Sequence, residues 1–175
     1  MDLKKYIRSI PDYPKKGILF RDITTLIKDK DAFKECINQM SKILTKLDFE
    51  KIASIESRGF VFASALCYNL SKSLILMRKK NKIPAEKYSQ EFELEYGKAT
   101  IEIHKDSIQP KEKILIIDDL IATGGTAEAG AKLVERSEGT VAGFIFVINL
   151  FDLGGCDKLI KQDHKVENLI NFPGH

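Results

Sequence analysis

The stretch Lys113-Ile114-Leu115-Ile116-Ile117-Asp118-Asp119 constrains the chain more than any other. Four large aliphatic residues in an unbroken run specify a strand covered on both faces, as in the middle of a parallel sheet between helical layers. Two acids follow, then Leu120-Ile121-Ala122 and the small-residue loop Thr123-Gly124-Gly125-Thr126, which opens a helix expected to reach about Ser137. The carboxyl end of such a strand, where it turns into a helix, is where open α/β sheets bind ligands.

Other segments repeat that strand–helix alternation. Lys51-Ile52-Ala53-Ser54-Ile55 reads as a short strand, followed by Glu56-Ser57-Arg58-Gly59 and an apolar helix from about Phe60 to Leu70. Ser73 to Met77 and Val141 to Leu150 read as further strands. Phe33, Cys36, Ile37, Met40, Ile43, Leu44 and Leu47 form a one-sided helical stripe, with Asp31 as the expected N-cap. Leu3, Tyr6, Ile7 and Ile10 suggest an opening helix stopped by Pro11, and Ile18 to Ile23 an irregular apolar segment. Alternation of Phe92, Leu94 and Tyr96, then Ile101 and Ile103, around Gly97 predicts a hairpin projecting from the sheet. The expected fold class is α/β, a mainly parallel sheet flanked by helices.

At 175 residues the chain is the size of one domain, and we expect residues 1–175 to form it. Hydrophobic residues make up 43% and charged residues 30%, an ordinary globular balance that excludes a disordered chain. Lys plus Arg total 28 against 25 Asp plus Glu, a net charge of +3, too mild to imply nucleic acid. No segment reads as a secretory signal or a membrane span, so no membrane is expected and the cytoplasm is the expected compartment. Cys36, Cys67 and Cys156 lack metal-ligand spacing and read as free thiols. His104, His164 and His175 are too scattered for a zinc site.

The loop after the acids is suited to a phosphate. Gly124 and Gly125 let backbone N–H groups approach an anion, Thr123 and Thr126 add hydroxyl donors, and the helix N-terminus adds positive potential. That dipole is worth only about 0.3–1 kcal/mol, against roughly 1.5–3 for each charge-assisted hydrogen bond, so converging donors do most of the holding. No Gly-Lys-Ser/Thr follows the glycines and the G-x-G-x-x-G spacing is absent, which excludes the triphosphate and dinucleotide loops. Two carboxylates ahead of the loop suit a sugar diol, so the ligand class is a phosphorylated sugar. A tight turn with solvated acids is the plainer alternative. The joint pattern of acids, glycines and threonines favours the ligand.

The segment Ile114 to Thr126 resembles the phosphoribosyl pyrophosphate (PRPP) motif of type I phosphoribosyltransferases. Ile10-Pro11-Asp12-Tyr13-Pro14, Gly17 to Ile23, Glu56-Ser57-Arg58-Gly59-Phe60 and Leu94-Glu95-Tyr96-Gly97 resemble, in order and spacing, the adenine-specific members of that family. The resemblance runs from residue 2 to near the end. It implies the family fold, with about residues 1–30 forming a small hood, and a Mg2+-dependent reaction of adenine with PRPP to give AMP and pyrophosphate. It also implies a homodimer.

Carried over by position, the resemblance implies that Ala122, Thr123, Gly124, Gly125 and Thr126 hold the phosphate, and that Asp118 and Asp119 hold the ribose with Mg2+ near them. Ser57, Arg58, Arg78, Lys79 and Lys82 would reach the pyrophosphate, with a cis peptide expected between Ser57 and Arg58. By itself the run Arg78-Lys79-Lys80-Asn81-Lys82 reads as a solvated charge cluster. Asn81 replaces the usual glycine of that turn but tolerates left-handed geometry. Leu19, Phe20 and Arg21 would bind adenine: the Phe20 ring stacking, the Leu19 carbonyl accepting from the exocyclic amine, and the Arg21 amide N–H donating to N1. Glu95 would be a catalytic acid near N7, Tyr96 would position the closed hairpin, and Arg58 would assist catalysis. Thr25, where many relatives have proline, lies beyond these contacts and is expected to alter only loop stiffness.

Two readings compete. One is a phosphoribosyltransferase for another purine base, and the other a nonenzymatic PRPP-sensing regulator that binds nucleic acid. The mild charge and the retention of Arg58 and Glu95 weigh against the regulator.

Overall fold

A computed structural model describes residues 1–94 and 97–174. The chain opens with a 3-10 turn over Leu3–Tyr6, in place of the longer helix expected there, because the next residues are claimed by a strand. This is β1 (Arg8–Pro11), paired antiparallel with β2 (Leu19–Asp22) so that Ile10 faces Phe20. The segment expected to be irregular is therefore a strand. Helical spacing in residues 3–10 was outweighed by backbone hydrogen bonds to a segment ten residues away, which local periodicity does not register.

A short α1 (Thr24–Lys28) leads into α2 (Lys30–Leu44). The cap of α2 is Asp29, whose carboxylate accepts from the N–H groups of Asp31 at 3.1 Å and Ala32 at 2.9 Å. Asp31, the expected cap, lies inside the first turn. The predicted stripe holds: Cys36, Ile37, Met40 and Leu44 are buried. Thr25 is more than a stiffness variant, since its hydroxyl donates to the Tyr6 carbonyl at 2.6 Å and so ties α1 to the opening turn.

Next in the chain are β3 (Lys51–Ile55), α3 (Gly59–Leu70) and β4 (Ser73–Lys79). The hairpin of β5 (Lys87–Glu93) and β6 (Lys98–His104) follows, then β7 (Lys113–Ile121) and α4 (Gly125–Arg136). The chain continues through β8 (Thr140–Leu150), α5 (Gly155–Lys161) and β9 (Val166–Phe172). Among the described residues, seven strands form one sheet in the order β5-β6-β4-β3-β7-β8-β9. Strands β3, β4, β7, β8 and β9 are parallel, and the β5–β6 hairpin adds antiparallel at the β4 edge.

The central run behaves as its composition requires: Ile114, Leu115, Ile116 and Ile117 are fully buried. Leu115 and Ile117 pack with Phe62, Leu66, Cys36 and Met40 on one face, and Ile114 and Ile116 with Leu133 and Val134 on the other. β7 continues past Ile117 to Ile121, so the acids lie within the strand rather than in a loop. The extension exists because β8 runs alongside it, pairing Asp118, Leu120 and Ile121 with Phe146, Ile148 and Asn149. Only Ala122-Thr123-Gly124 remain between β7 and α4, so Gly125 and Thr126, expected in the loop, already belong to the helix.

Candidate active site

At the end of β7 the chain turns into α4 through Gly124, which has φ +85° and forms the helix N-cap without a side chain. Glu128 N–H donates to the Gly124 carbonyl, which leaves the first-turn amides of Gly125, Thr126 and Ala127 without intrahelical acceptors. Oriented N–H groups beside the threonine hydroxyls form an anion cradle. A residue missed in the sequence backs it. The Gly155 N–H donates to the Ala122 carbonyl at 3.0 Å, and a Cβ at Gly155 would lie 2.4 Å from that oxygen and 2.8 Å from the Gly124 nitrogen. The available signal was the Gly154-Gly155 pair just after a buried strand.

The two acids sit under the cradle. Asp118 Oδ1 accepts from the Asp119 N–H at 2.8 Å, and Asp119 Oδ2 lies 3.0 Å from Arg58 Nε. That last approach lacks hydrogen-bond geometry, and among the described residues Asp119 Oδ2 is a buried acceptor with no hydrogen bond. Burial pushes both carboxyls above the usual carboxylate range. The charge of Asp119 pushes Asp118 further, whereas the Arg58 guanidinium opposes the rise at Asp119. Asp119 Oδ2, without a hydrogen bond among the described residues, is an acceptor that a hydroxyl donor or a cation would satisfy. Gly59 permits this packing, because a Cβ there would stand 2.7 Å from both Asp118 Oδ1 and Ser54 Oγ.

Arg58 joins the acids to the opening hairpin. Its guanidinium carbon lies 5.3 Å from the centre of the Phe20 ring, and Tyr13 meets Phe20 edge-on at 5.2 Å. Leu19 and Phe20 are half-buried on β2, while the Arg21 side chain is buried against Phe172. The cis peptide lies between Glu56 and Ser57, one bond earlier than expected, with a second at Tyr13–Pro14.

Glu56 organises the basic run. Its Oε2 accepts from Arg78 Nε at 3.0 Å and from the Lys79 N–H at 2.9 Å. The Lys79 N–H draws the Glu56 carboxyl below its ordinary range against the effect of burial, and Arg78 and Lys82 add to this. Asn81 has φ +65°, the left-handed geometry expected of it, and its N–H donates to the buried Glu102 at 3.0 Å. β4 and this turn therefore bring Arg78, Lys79 and Lys82 to the same end of the sheet as Ser57 and Arg58. On the far side of the cradle the β5–β6 hairpin packs on α4, with the Glu93 carbonyl 3.1 Å from where a Gly125 Cβ would stand. Glu95 and Tyr96, the acid and the aromatic assigned to the hairpin, lie outside the described residues.

Residues 24–171 match the family model of the phosphoribosyl transferase domain. The chain belongs to the phosphoribosyltransferase family. An adenine phosphoribosyltransferase of Pelagibacter ubique is 69% identical over 175 residues, covering 100% of both chains. The crystal structure of the adenine phosphoribosyltransferase of Thermoanaerobacter pseudethanolicus superposes with a TM-score of 0.94 at 46% identity, covering 98% of each chain. The Saccharomyces cerevisiae adenine phosphoribosyltransferase, crystallised with an imino-altritol bisphosphate and adenine, gives 0.89 at 32% identity over 97% of each chain. The type I phosphoribosyltransferase fold expected from the sequence is therefore the fold observed.

Among the described residues no cluster of three or more His, Cys, Asp or Glu side chains is suitably placed to hold a metal ion. Asp118 and Asp119 offer hard oxygen donors on the strand that leads into the cradle, which suits Mg2+, an ion that keeps waters and binds through one or two carboxylates plus substrate phosphates. No helix among the described residues is long and apolar enough to cross a membrane.

Proposed function

We propose that this adenine phosphoribosyltransferase family member transfers the 5-phosphoribosyl group of PRPP to N9 of adenine, forming AMP and releasing pyrophosphate with inversion at C1 of the sugar. One observation supports the reading: the Arg58 guanidinium stands 3.0 Å from Asp119 and 5.3 Å from the centre of the Phe20 ring, so a single arginine joins the acids next to the anion cradle with the aromatic ring of β2. The relatives named adenine phosphoribosyltransferase over the whole chain support the choice of base.

In this reading the 5-phosphate binds the N–H groups and hydroxyls of Ala122, Thr123, Gly124, Gly125 and Thr126, and the ribose diol donates to Asp118 and Asp119. Asp118 or Asp119, together with substrate oxygens and water, would hold Mg2+, and the ion would supply positive charge to the leaving pyrophosphate. Ser57, Arg58, Arg78, Lys79 and Lys82 stabilise the departing pyrophosphate, where preorganised charge lowers the barrier most. Adenine lies against Phe20. The Leu19 carbonyl and the Arg21 N–H read its edge, a pattern that leaves buried groups unpaired with hypoxanthine or guanine. A protonated Glu95 donates to N7 while N9 attacks, and Tyr96 holds the closed hairpin, which excludes water from the sugar cation.

Residues 1–30 act as the hood of a single domain spanning residues 1–175. The enzyme works as a homodimer: Val61 and Tyr68, two turns apart on α3, are 38% and 92% exposed, an apolar face that a second copy would cover. The cytoplasm is its compartment, since Cys36, Cys67 and Cys156 are all free thiols. Neither nucleic acid nor membrane is a partner.

The test is AMP formation from adenine and PRPP with and without Mg2+, with hypoxanthine, guanine and xanthine in parallel. Mg2+-dependent turnover of adenine alone is expected. Turnover of another base instead would refute the roles given to Leu19, Phe20 and Arg21.

A further inference from the structure

Base recognition by backbone groups is only as precise as the backbone is fixed. β1 and β2 form a two-stranded sheet of their own, separate from the seven-stranded sheet. A lone hairpin is marginally stable, so its position relative to the cradle depends on side chains that tie it to the core.

Arg21 is placed to do this. It is only 6% exposed, and although its buried Nε has no acceptor among the described residues, both terminal nitrogens do. Nη1 donates to Ser9 Oγ at 2.5 Å, across the β1–β2 pair in which Ser9 and Arg21 are partners. Nη2 donates to the Pro173 carbonyl at 3.0 Å, just beyond β9. The guanidinium carbon lies 4.3 Å from the centre of the Phe172 ring, which the Lys4 ammonium also approaches at 4.8 Å. The segment that Arg21 grips is itself anchored, since the Gly174 N–H donates to Asp152 Oδ1 at 2.6 Å. Residue 174 must be small there, because a Cβ would come within 2.7 Å of Leu153 Cγ. Burial lowers the proton affinity of Arg21, and the Asp152 carboxylate partly restores it. The chain Ser9, Arg21, Pro173, Gly174, Asp152 therefore links the opening hairpin to the end of β8, beside the Gly155 that backs the cradle.

We propose that the Arg21 side chain and the Phe172-Pro173-Gly174 segment form a strap that holds the β2 backbone where Leu19 and Arg21 read the base, making Arg21 a positioning residue for base selectivity. The proposal rests on the adenine reading above and assigns the side chain of Arg21 a task separate from that of its amide. The planar fork is needed for it: lysine keeps the charge but cannot span Ser9 and Pro173 while lying flat on Phe172.

The experiment compares the wild-type enzyme, Arg21→Lys, a deletion of residues 173–175, and the two changes combined. KM for adenine, KM for PRPP and the adenine-to-hypoxanthine selectivity ratio are measured, with a thermal melt for each protein. The strap requires each single change to raise the adenine KM about tenfold and to lower the selectivity ratio. It also requires the PRPP KM to stay within twofold, and the combined protein to be no worse than the worse single change, because both changes break the same Arg21–Pro173 link. Equal rises in both KM values, a multiplicative effect in the combined protein, or unchanged kinetics would each overturn it. Should Arg21→Lys not fold, Ser9→Ala, which removes only the Nη1 acceptor, carries the same comparison. A wild-type enzyme that does not use adenine overturns the functional reading and the strap with it. An active wild type with unaltered variants overturns the strap alone.

Discussion

Gly155→Ala tests whether the phosphate cradle is held by what lies behind it. The added Cβ would stand 2.4 Å from the Ala122 carbonyl oxygen, 2.8 Å from the Gly124 nitrogen and 2.8 Å from Ile121 Cγ1. Two of these atoms belong to backbone, which cannot rotate aside. To bring the closest contact out to 3.0 Å the loop must retreat by about 0.6 Å, and by roughly 1 Å to reach ordinary van der Waals separation. Overpacking of this kind costs about 1–3 kcal/mol, which for a chain of this size lowers Tm by roughly 2–12 °C. If the Gly124 and Gly125 amides hold the 5-phosphate as proposed, the displacement moves them off it, and misplacement by about 1 Å costs on the order of a hundredfold in rate. Initial-rate assays of AMP formation should therefore show kcat/KM for PRPP falling between ten- and a hundredfold, with the adenine KM much less affected. A variant with PRPP kinetics within twofold of the wild type would refute the argument that this glycine fixes the cradle, whatever its Tm.

Three further outcomes are expected. Asp119→Asn removes the charged acceptor and should lower kcat/KM for PRPP roughly ten- to a hundredfold, the scale of a lost charge-assisted hydrogen bond, read by the same assay. Glu95→Gln should reduce kcat about a hundredfold while the PRPP dissociation constant, measured by calorimetry, changes far less. Asp22 is partly pushed up by burial, but the Thr24 N–H, the Arg8 guanidinium and the Thr24 hydroxyl together hold its carboxyl at about 2. A depressed carboxyl stabilises the fold above its unfolded value near 3.8 and loses that contribution as pH falls through about 2. The contribution is about 2 kcal/mol, so Asp22→Asn should lower stability at pH 7 and flatten the acid limb of a denaturation curve between pH 4 and 2. An unchanged acid limb would refute it.

The sheet and its ligand end could be read directly from the chain because their signals are local. Ile114 to Ile117 reads as a strand buried on both faces, and Thr123-Gly124-Gly125-Thr126 as a close backbone approach at a helix start. Arg58 and Gly59 were recognisable as a turn motif, and Asn81 as a residue able to take φ +65°. Other features depended on partners distant in sequence. Residues 8–11 became strand because residues 19–22 lie opposite. β7 outran its apolar core because β8 offered hydrogen bonds to Asp118 and Leu120.

The sequence by itself determined the alternation of strands and helices, the anion cradle and the acids beneath it, since hydrophobic period, glycine freedom and charge are properties of neighbouring residues. Only the tertiary structure decided that Gly155 backs the cradle, that Gly59 makes room for Asp118, that Arg58 spans Asp119 and Phe20, and that Arg21 reaches Pro173. Those are contacts between residues 31 to 152 positions apart, and no local pattern encodes a distance that exists only after the sheet has brought its strands together.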